Sequence, residues 1–188
     1  MKPTHSELMG WILAGVISPA LLTAHSNAYA NDYLTIAQAQ QLLFPSATQF
    51  IPSPILLSSE AKLKIQQQSG LKQRWSQQMA YKVFKNQQHL GWVMIDDVIG
   101  KHEFITYAVA ISAQGAVMGI EILTYRETHG TQVRDQSWRK HFVGKTLKDP
   151  FLLDKDVPNI AGATLSCRNI LSGTQRLLII YENFLKGT

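Results

Sequence analysis

The segment Asn159-Ile160-Ala161-Gly162-Ala163-Thr164-Leu165-Ser166-Cys167 carries the strongest chemical signal in the chain. It joins a loop to the start of a helix. Gly162 can take a positive φ and let another group come close to the backbone, and Ala163 adds almost no bulk. Thr164 then presents a hydroxyl beside the N–H groups that a helix leaves unpaired at its start. Those free donors and the helix dipole both favour phosphate. A hydroxyl, small neighbours and an anion-friendly backbone are what a site needs if phosphate is to be bound there or esterified. On the Gly-Ala-Thr triplet alone, a Thr that simply caps the helix is the plainer alternative.

Two further segments bear on that choice. Tyr125-Arg126-Glu127-Thr128-His129-Gly130 follows directly on a strand, a short way before Trp138 and Phe142, and Gly100-Lys101-His102 precedes another strand. Together with Ile160-Ala161-Gly162-Ala163-Thr164, they resemble the FMN-binding domain family. That family includes the small flavin subunits of the sodium-pumping NADH:quinone reductase and of its ferredoxin-oxidising relative, as well as stand-alone exported flavoproteins. The resemblance runs from Leu42-Leu43-Phe44-Pro45 to the final helix.

The resemblance implies a set of roles. Thr164 would carry FMN through a phosphoester, installed from FAD by a separate flavin transferase that uses a divalent metal. Gly162 and Ala163 would line the path of the phosphate, with Leu165 and Ser166 donating backbone N–H groups to it. Tyr125, Glu127, His129 and Gly130 would form a loop over the isoalloxazine ring, with His129 near its N1–C2 carbonyl region; a histidine satisfying a turn is the alternative. Trp138 would stack on the ring, or else pack in the core with Phe142. Arg168, one helical turn past Thr164, would reach the phosphate or lie on a solvated face. Lys101 and His102 are either a strand-entry turn or a phosphate contact. Ala161 stands where the family usually has Ser or Thr, and Pro158 where the transporter subunits often have Asp, with Asp156 close by.

The elements that must position these residues follow from periodicity and punctuation. A first helix is predicted from Thr35, with Ala37, Ala39, Leu42 and Leu43 as its apolar stripe and Pro45 as its stop. Phe50 to Pro54 reads as a Pro-punctuated crossing. Ser58 and Ser59 open a second helix carrying Ala61, Leu63 and Ile65, closed at Gly70. Strands are predicted over 79–85, 90–98, 102–112 and 117–124, joined by short turns at Asn86-Gln87-Gln88 and Gln114-Gly115, which favours an antiparallel meander. A helix is expected over 135–142. A long one is expected over 167–184, with Ile170, Leu171, Leu177, Leu178 and Phe184 turned inward and Gly173 as a weak point. The class is α+β: one antiparallel sheet packed with helices.

The chain has 188 residues and a formal net charge of +5. Lys2, an apolar run from Leu8 to Thr23 and the small-x-small triplet Ala28-Tyr29-Ala30 form the pattern of a cleaved secretory signal over 1–30, which leaves 31–188 as one domain. The run is short against the roughly 20 apolar residues that span a bilayer. Export places the mature protein in the periplasm of a Gram-negative host and makes nucleic acid an unexpected partner. The positive residues are densest from Arg134 to Lys148, which is either a solvated face or a docking surface for an acidic partner or anionic lipid headgroups. Cys167 is the sole cysteine, so no intramolecular disulfide forms.

The leading functional expectation is a covalent FMN carrier relaying electrons between redox partner proteins, with no second catalytic centre and no metal site. A flavin-free basic binding module is the alternative from another class. A cysteine hydrolase using Cys167 and His129 is a third, since a helix start can lower a thiol pKa.

Overall fold

The computed structural model describes residues 32–188, so the segment read as a leader at 1–30 lies outside them. Helix α1 spans Ile36–Leu43 and begins at the predicted cap. Thr35 Oγ1 accepts from the Gln38 N–H at 3.2 Å while the Gln38 side chain accepts from the Thr35 N–H at 2.8 Å, the reciprocal arrangement of a capping box. Its buried side is Ala39 and Gln40 with Leu43 half-buried, so the predicted stripe is rotated: Ala37 and Leu42 face solvent.

The stretch expected to be a crossing forms two short strands, β1 (Gln49–Pro52) and β2 (Ile55–Leu56). Both pair antiparallel along one edge of β3 (Gln77–Lys85), Phe50 opposite Val83 and Ile55 opposite Gln78. Proline lacks an N–H and is tolerated on an edge strand, so Pro52 and Pro54 interrupt pairing without abolishing it. Between β2 and β3 lies α2 (Ser59–Ser69), capped by Ser58 and closed by Gly70 in the left-handed region; Ile65 is buried and Leu63 exposed.

Strands β3, β4 (Gln88–Ile99), β5 (Phe104–Ser112) and β6 (Val117–Thr124) form the expected antiparallel meander, with sheet order β1-β3-β4-β5-β6. The fold is α+β, one antiparallel sheet packed with helices. Alternate residues serve two cores. Trp92, Met94 and Val98 of β4, with Tyr107 and Val109 of β5, face one layer, whereas Val93, Ile95, Ala108 and Ala110 face α1. Cover on both faces explains why the central strands read as near-continuous apolar runs.

Over the region expected to hold one helix, α3 (Gln136–Arg139) is a single turn between 3-10 turns at Thr131–Arg134 and Lys140–Phe142. The dense basic stretch is largely consumed internally. Arg139 pairs with Glu121, Lys145 with Asp156 at 3.0 Å, and Arg134 lies over the Tyr33 ring. The outer side of β6 is also engaged: the Tyr33 N–H donates to Leu123 O, Arg139 donates to Ile120 O, and Val117 exchanges backbone bonds with Gly144 and Lys145.

Helix α4 (Thr164–Phe184) begins a turn earlier than predicted and crosses the sheet. Ile170, Leu171, Leu177 and Leu178 are buried as expected; Phe184 is not, and Tyr181 and Leu185 take the inward positions near that end. Gly173 is a point of contact rather than of weakness. A methyl group there would overlap the Tyr107 hydroxyl and lie 2.8 Å from Val98 Cγ1, so its absence lets the helix settle on β4 and β5.

A buried ion pair completes that seat. Arg176 donates to Asp96 Oδ2 at 2.5 Å, and Tyr107 Oη donates to the same oxygen at 3.0 Å. Arg176 also reaches the carbonyl of Lys72 at 2.8 Å, tying in the segment after α2. Burial opposes the guanidinium charge, but Asp96 and Tyr107 outweigh it and hold Arg176 above its usual value. Arg176→Ala, which strands a buried carboxylate, is expected to cost about 3–5 kcal/mol in urea denaturation. Combining it with Asp96→Ala is expected to cost clearly less than the two single losses together; simple additivity would show the two groups to be uncoupled.

Candidate functional site

The site is built on the first turn of α4. Ala163 occupies the cap position and has no side chain to cap with. The N–H groups of Thr164, Leu165 and Ser166 therefore lack intrahelical acceptors, the ladder beginning with Cys167 N to Ala163 O at 3.0 Å. Thr164 is itself the first helical residue, half-buried, with Gly162 two residues before it at φ 78°.

A cleft of about 350 Å³ opens over this turn. Gly162, Ala163, Thr164, Leu165 and Ser166 form one wall, Glu127, Thr128 and His129 a second, and Lys101 and His102 a third. All three segments singled out in the sequence thus meet, and Lys101, His102 and Thr128 join the site residues expected from the resemblance. The Gly-Lys-His string was visible in the sequence, but nothing local distinguished a turn from a ligand contact. Glu127 links two of the walls: its Oε1 accepts from the His102 N–H at 2.7 Å and the Glu103 N–H at 3.0 Å. Burial pushes this carboxyl up, but the backbone donors of Glu103, His102 and Lys101 prevail and hold it below its ordinary value.

Tyr125, Gly130, Trp138 and Arg168 do not line the cleft. Tyr125 is buried beneath it, where its hydroxyl donates to His129 O at 2.5 Å and lies 3.4 Å from Ser166 Oγ, joining the loop to the helix. Gly130, at φ 85°, permits that junction, because a Cβ there would overlap Ala163 Cβ and stand 2.7 Å from the Tyr125 hydroxyl. Trp138 takes the core alternative. It packs on Phe142 with ring centroids 5.1 Å apart, and its Nε1 donates to Pro158 O at 2.8 Å, anchoring the loop that leads to Gly162. Arg168 is exposed on α4. Asp156 is occupied elsewhere, accepting from the Leu152 N–H at 2.7 Å and from Lys145.

Cys167 is fully buried, and burial pushes its thiol up rather than down, which removes the basis for the hydrolase reading. No described helix is long and apolar enough to cross a membrane.

Residues 100–179 match the model of the FMN-binding domain. Over that span, the chain is similar to the FMN-binding domain. It is 28% identical over 85 residues to a component of the Na(+)-translocating ferredoxin:NAD(+) oxidoreductase complex of Acetobacterium woodii, covering 40% of this chain and 41% of that protein. The chain thus spans about two fifths of the length of this curated relative. The crystal structure of Shewanella oneidensis NqrC superposes with a TM-score of 0.49 at 19% identity, covering 72% of this chain and 67% of that one.

The residues present suit FMN. Uncapped helix donors, the Lys101 cation and the small Gly162 and Ala163 meet the needs of a phosphate, and the cleft volume falls within the roughly 300–1,000 Å³ of small-ligand pockets. The ionised Glu127 carboxylate is the form that ties the walls together. Its contribution to stability is therefore present above its ordinary value of 4.5 and is lost as pH falls through the lowered folded value. Urea denaturation of wild type and Glu127→Gln is expected to show a stability gap at neutral pH that narrows on acidification. A gap independent of pH would mean that the charge of Glu127 does not matter to the tie.

Proposed function

We propose that this chain is an exported flavoprotein that carries FMN covalently on Thr164, as a phosphoester, and relays electrons between redox partner proteins. The observation that carries the reading is the placement of Thr164, half-buried at the open N-terminus of α4 and lining the cleft. Few environments suit a phosphate better than a hydroxyl surrounded by unpaired backbone N–H groups and small residues. The chemistry supplied by bound FMN is reversible one- or two-electron transfer, and the protein's part is to hold and orient it.

In this reading, a flavin transferase installs the group from FAD. The Thr164 oxygen bonds to the phosphorus on the flavin side, the phosphoanhydride breaks, AMP departs and the hydroxyl proton is released. The Leu165 and Ser166 N–H groups would hold the phosphate, and Gly162 and Ala163 would leave it room. His129 and Thr128 line the opposite wall, within the same cleft. Tyr125, Gly130 and Trp138 support the site from behind.

The leader read at residues 1–30 makes the protein periplasmic and the domain at 31–188 its mature form. Tethering then prevents loss of a diffusible cofactor outside the cytoplasm. Its redox partners are proteins of the kind found with the Acetobacterium relative, which belongs to a ferredoxin:NAD(+) oxidoreductase complex. Association with a membrane complex or membrane surface belongs to the same reading.

Intact mass of the mature protein, co-produced with a flavin transferase, tests the attachment. A gain equal to FMN less water is expected, and Thr164→Ala is expected to abolish it. Mature protein that stays at its polypeptide mass would refute covalent carriage.

A further inference from the structure

We propose that Lys101 is the residue through which the cleft recognises the phosphate of its flavin, and that Glu127 acts as a positioning residue by holding the turn that carries Lys101. This rests on the reading of the cleft as an FMN site.

Lys101 sits on the turn between β4 and β5, closed by Gly100 N to Glu103 O at 2.7 Å. Two consecutive N–H groups of that turn, those of His102 and Glu103, point at Glu127 Oε1. Gly100 makes the close approach possible, since a side chain there would overlap the same oxygen. The conformation of the turn is thus set from the opposite wall of the cleft, by the loop that also contributes Thr128 and His129.

Charge decides why the lysine matters. The cleft wall contains an ionised carboxylate, and the N-terminus of α4 supplies only about half a positive charge to set against it. Between Glu127 and the helix start alone, the balance met by a phosphate is negative. With Lys101, the sign reverses. Lys101 makes no salt bridge among the described residues, so its charge is not already committed to a carboxylate. The other cations nearby do not substitute: Arg168, exposed like Lys101, lies outside the cleft lining, and Arg126 lies 3.7 Å from Asp32. Lys101 therefore turns a hydroxyl-bearing helix start into a site that selects a phosphorylated flavin over an unphosphorylated one.

Full-length mature Thr164→Ala protein, which cannot be esterified at that position, allows equilibrium binding to be measured by flavin fluorescence with FMN and with riboflavin. FMN is expected to bind more tightly than riboflavin, and adding Lys101→Ala is expected to reduce that preference about tenfold, the loss of one charge-assisted contact, while leaving riboflavin affinity unchanged. Lys101→Arg is expected to restore most of the preference, and added salt to weaken it only where the cation is present. Because Glu127→Ala removes the carboxylate's repulsion together with its hold on the turn, the positioning role is read from the coupling: Lys101→Ala is expected to cost much less of the preference in the Glu127→Ala background than in the parent.

Equal weakening of both flavins by Lys101→Ala, no change in either, or binding of neither flavin by the Thr164→Ala parent would overturn the assignment. Independent, additive losses would overturn the positioning role of Glu127. The outcome is separable from that of the carrier reading, which stands or falls on the mass of the wild-type protein.

Discussion

The buried contact of Arg176 with Asp96 and Tyr107 sets the geometry on which the site depends. It joins the middle of α4 to adjacent strands β4 and β5 and, through the carbonyl of Lys72, to the segment after α2. A charged pair this deep gains nothing unless both partners meet at hydrogen-bond distance, so it tolerates little sliding of helix on sheet. Gly173, one turn earlier, admits the Tyr107 hydroxyl beneath the helix. Rotation and translation of α4 are both constrained at this point, and Thr164 lies on the same rigid rod about 18 Å away at 1.5 Å per residue. The position of Thr164 is in this sense decided at the middle of the helix.

From that fixed rod outward, each wall of the cleft is attached by a different device. The loop before α4 is held by Trp138 through the carbonyl of Pro158. The loop after β6 is held by Tyr125, whose hydroxyl meets both the His129 carbonyl and Ser166. The turn before β5 is held by Glu127. Aromatic side chains with one polar atom suit the first two tasks, because the ring is buried in the core and the polar tip is spent on a backbone carbonyl.

The sequence made the central meander legible, since β3 to β6 are long, apolar and separated by clear turn residues. The three segments that build the cleft were also legible, because glycine and hydroxyl-bearing residues cluster there next to predicted element boundaries. Other features were hidden for physical reasons. Pro52 and Pro54 signalled a break, and only pairing with β3 makes their neighbours strands. The start of α4 is hidden because Ala163, with no side chain to cap with, occupies the cap position while Thr164 looks like a cap. Trp138 and Tyr125 lay in the right segments, but periodicity does not reveal whether a ring faces ligand or core. Asp96 and Arg176 are 80 residues apart, and no local pattern pairs them.

The engagement of β6 bears on how the molecule meets its own copies. A terminal strand normally presents a ladder of free amides and carbonyls that another chain can extend, which is a route to domain swapping and aggregation. Here Leu123, Ile120 and Val117 are each occupied by a different part of the same chain: a short N-terminal bridge, a guanidinium and a loop. On the opposite flank of the sheet, two prolines interrupt the outermost pairing. Both margins are thereby denied to strand addition without closing the sheet into a barrel. Among the described residues, crowded copies would thus meet an edge already occupied at β6 and one broken by proline at β1 and β2.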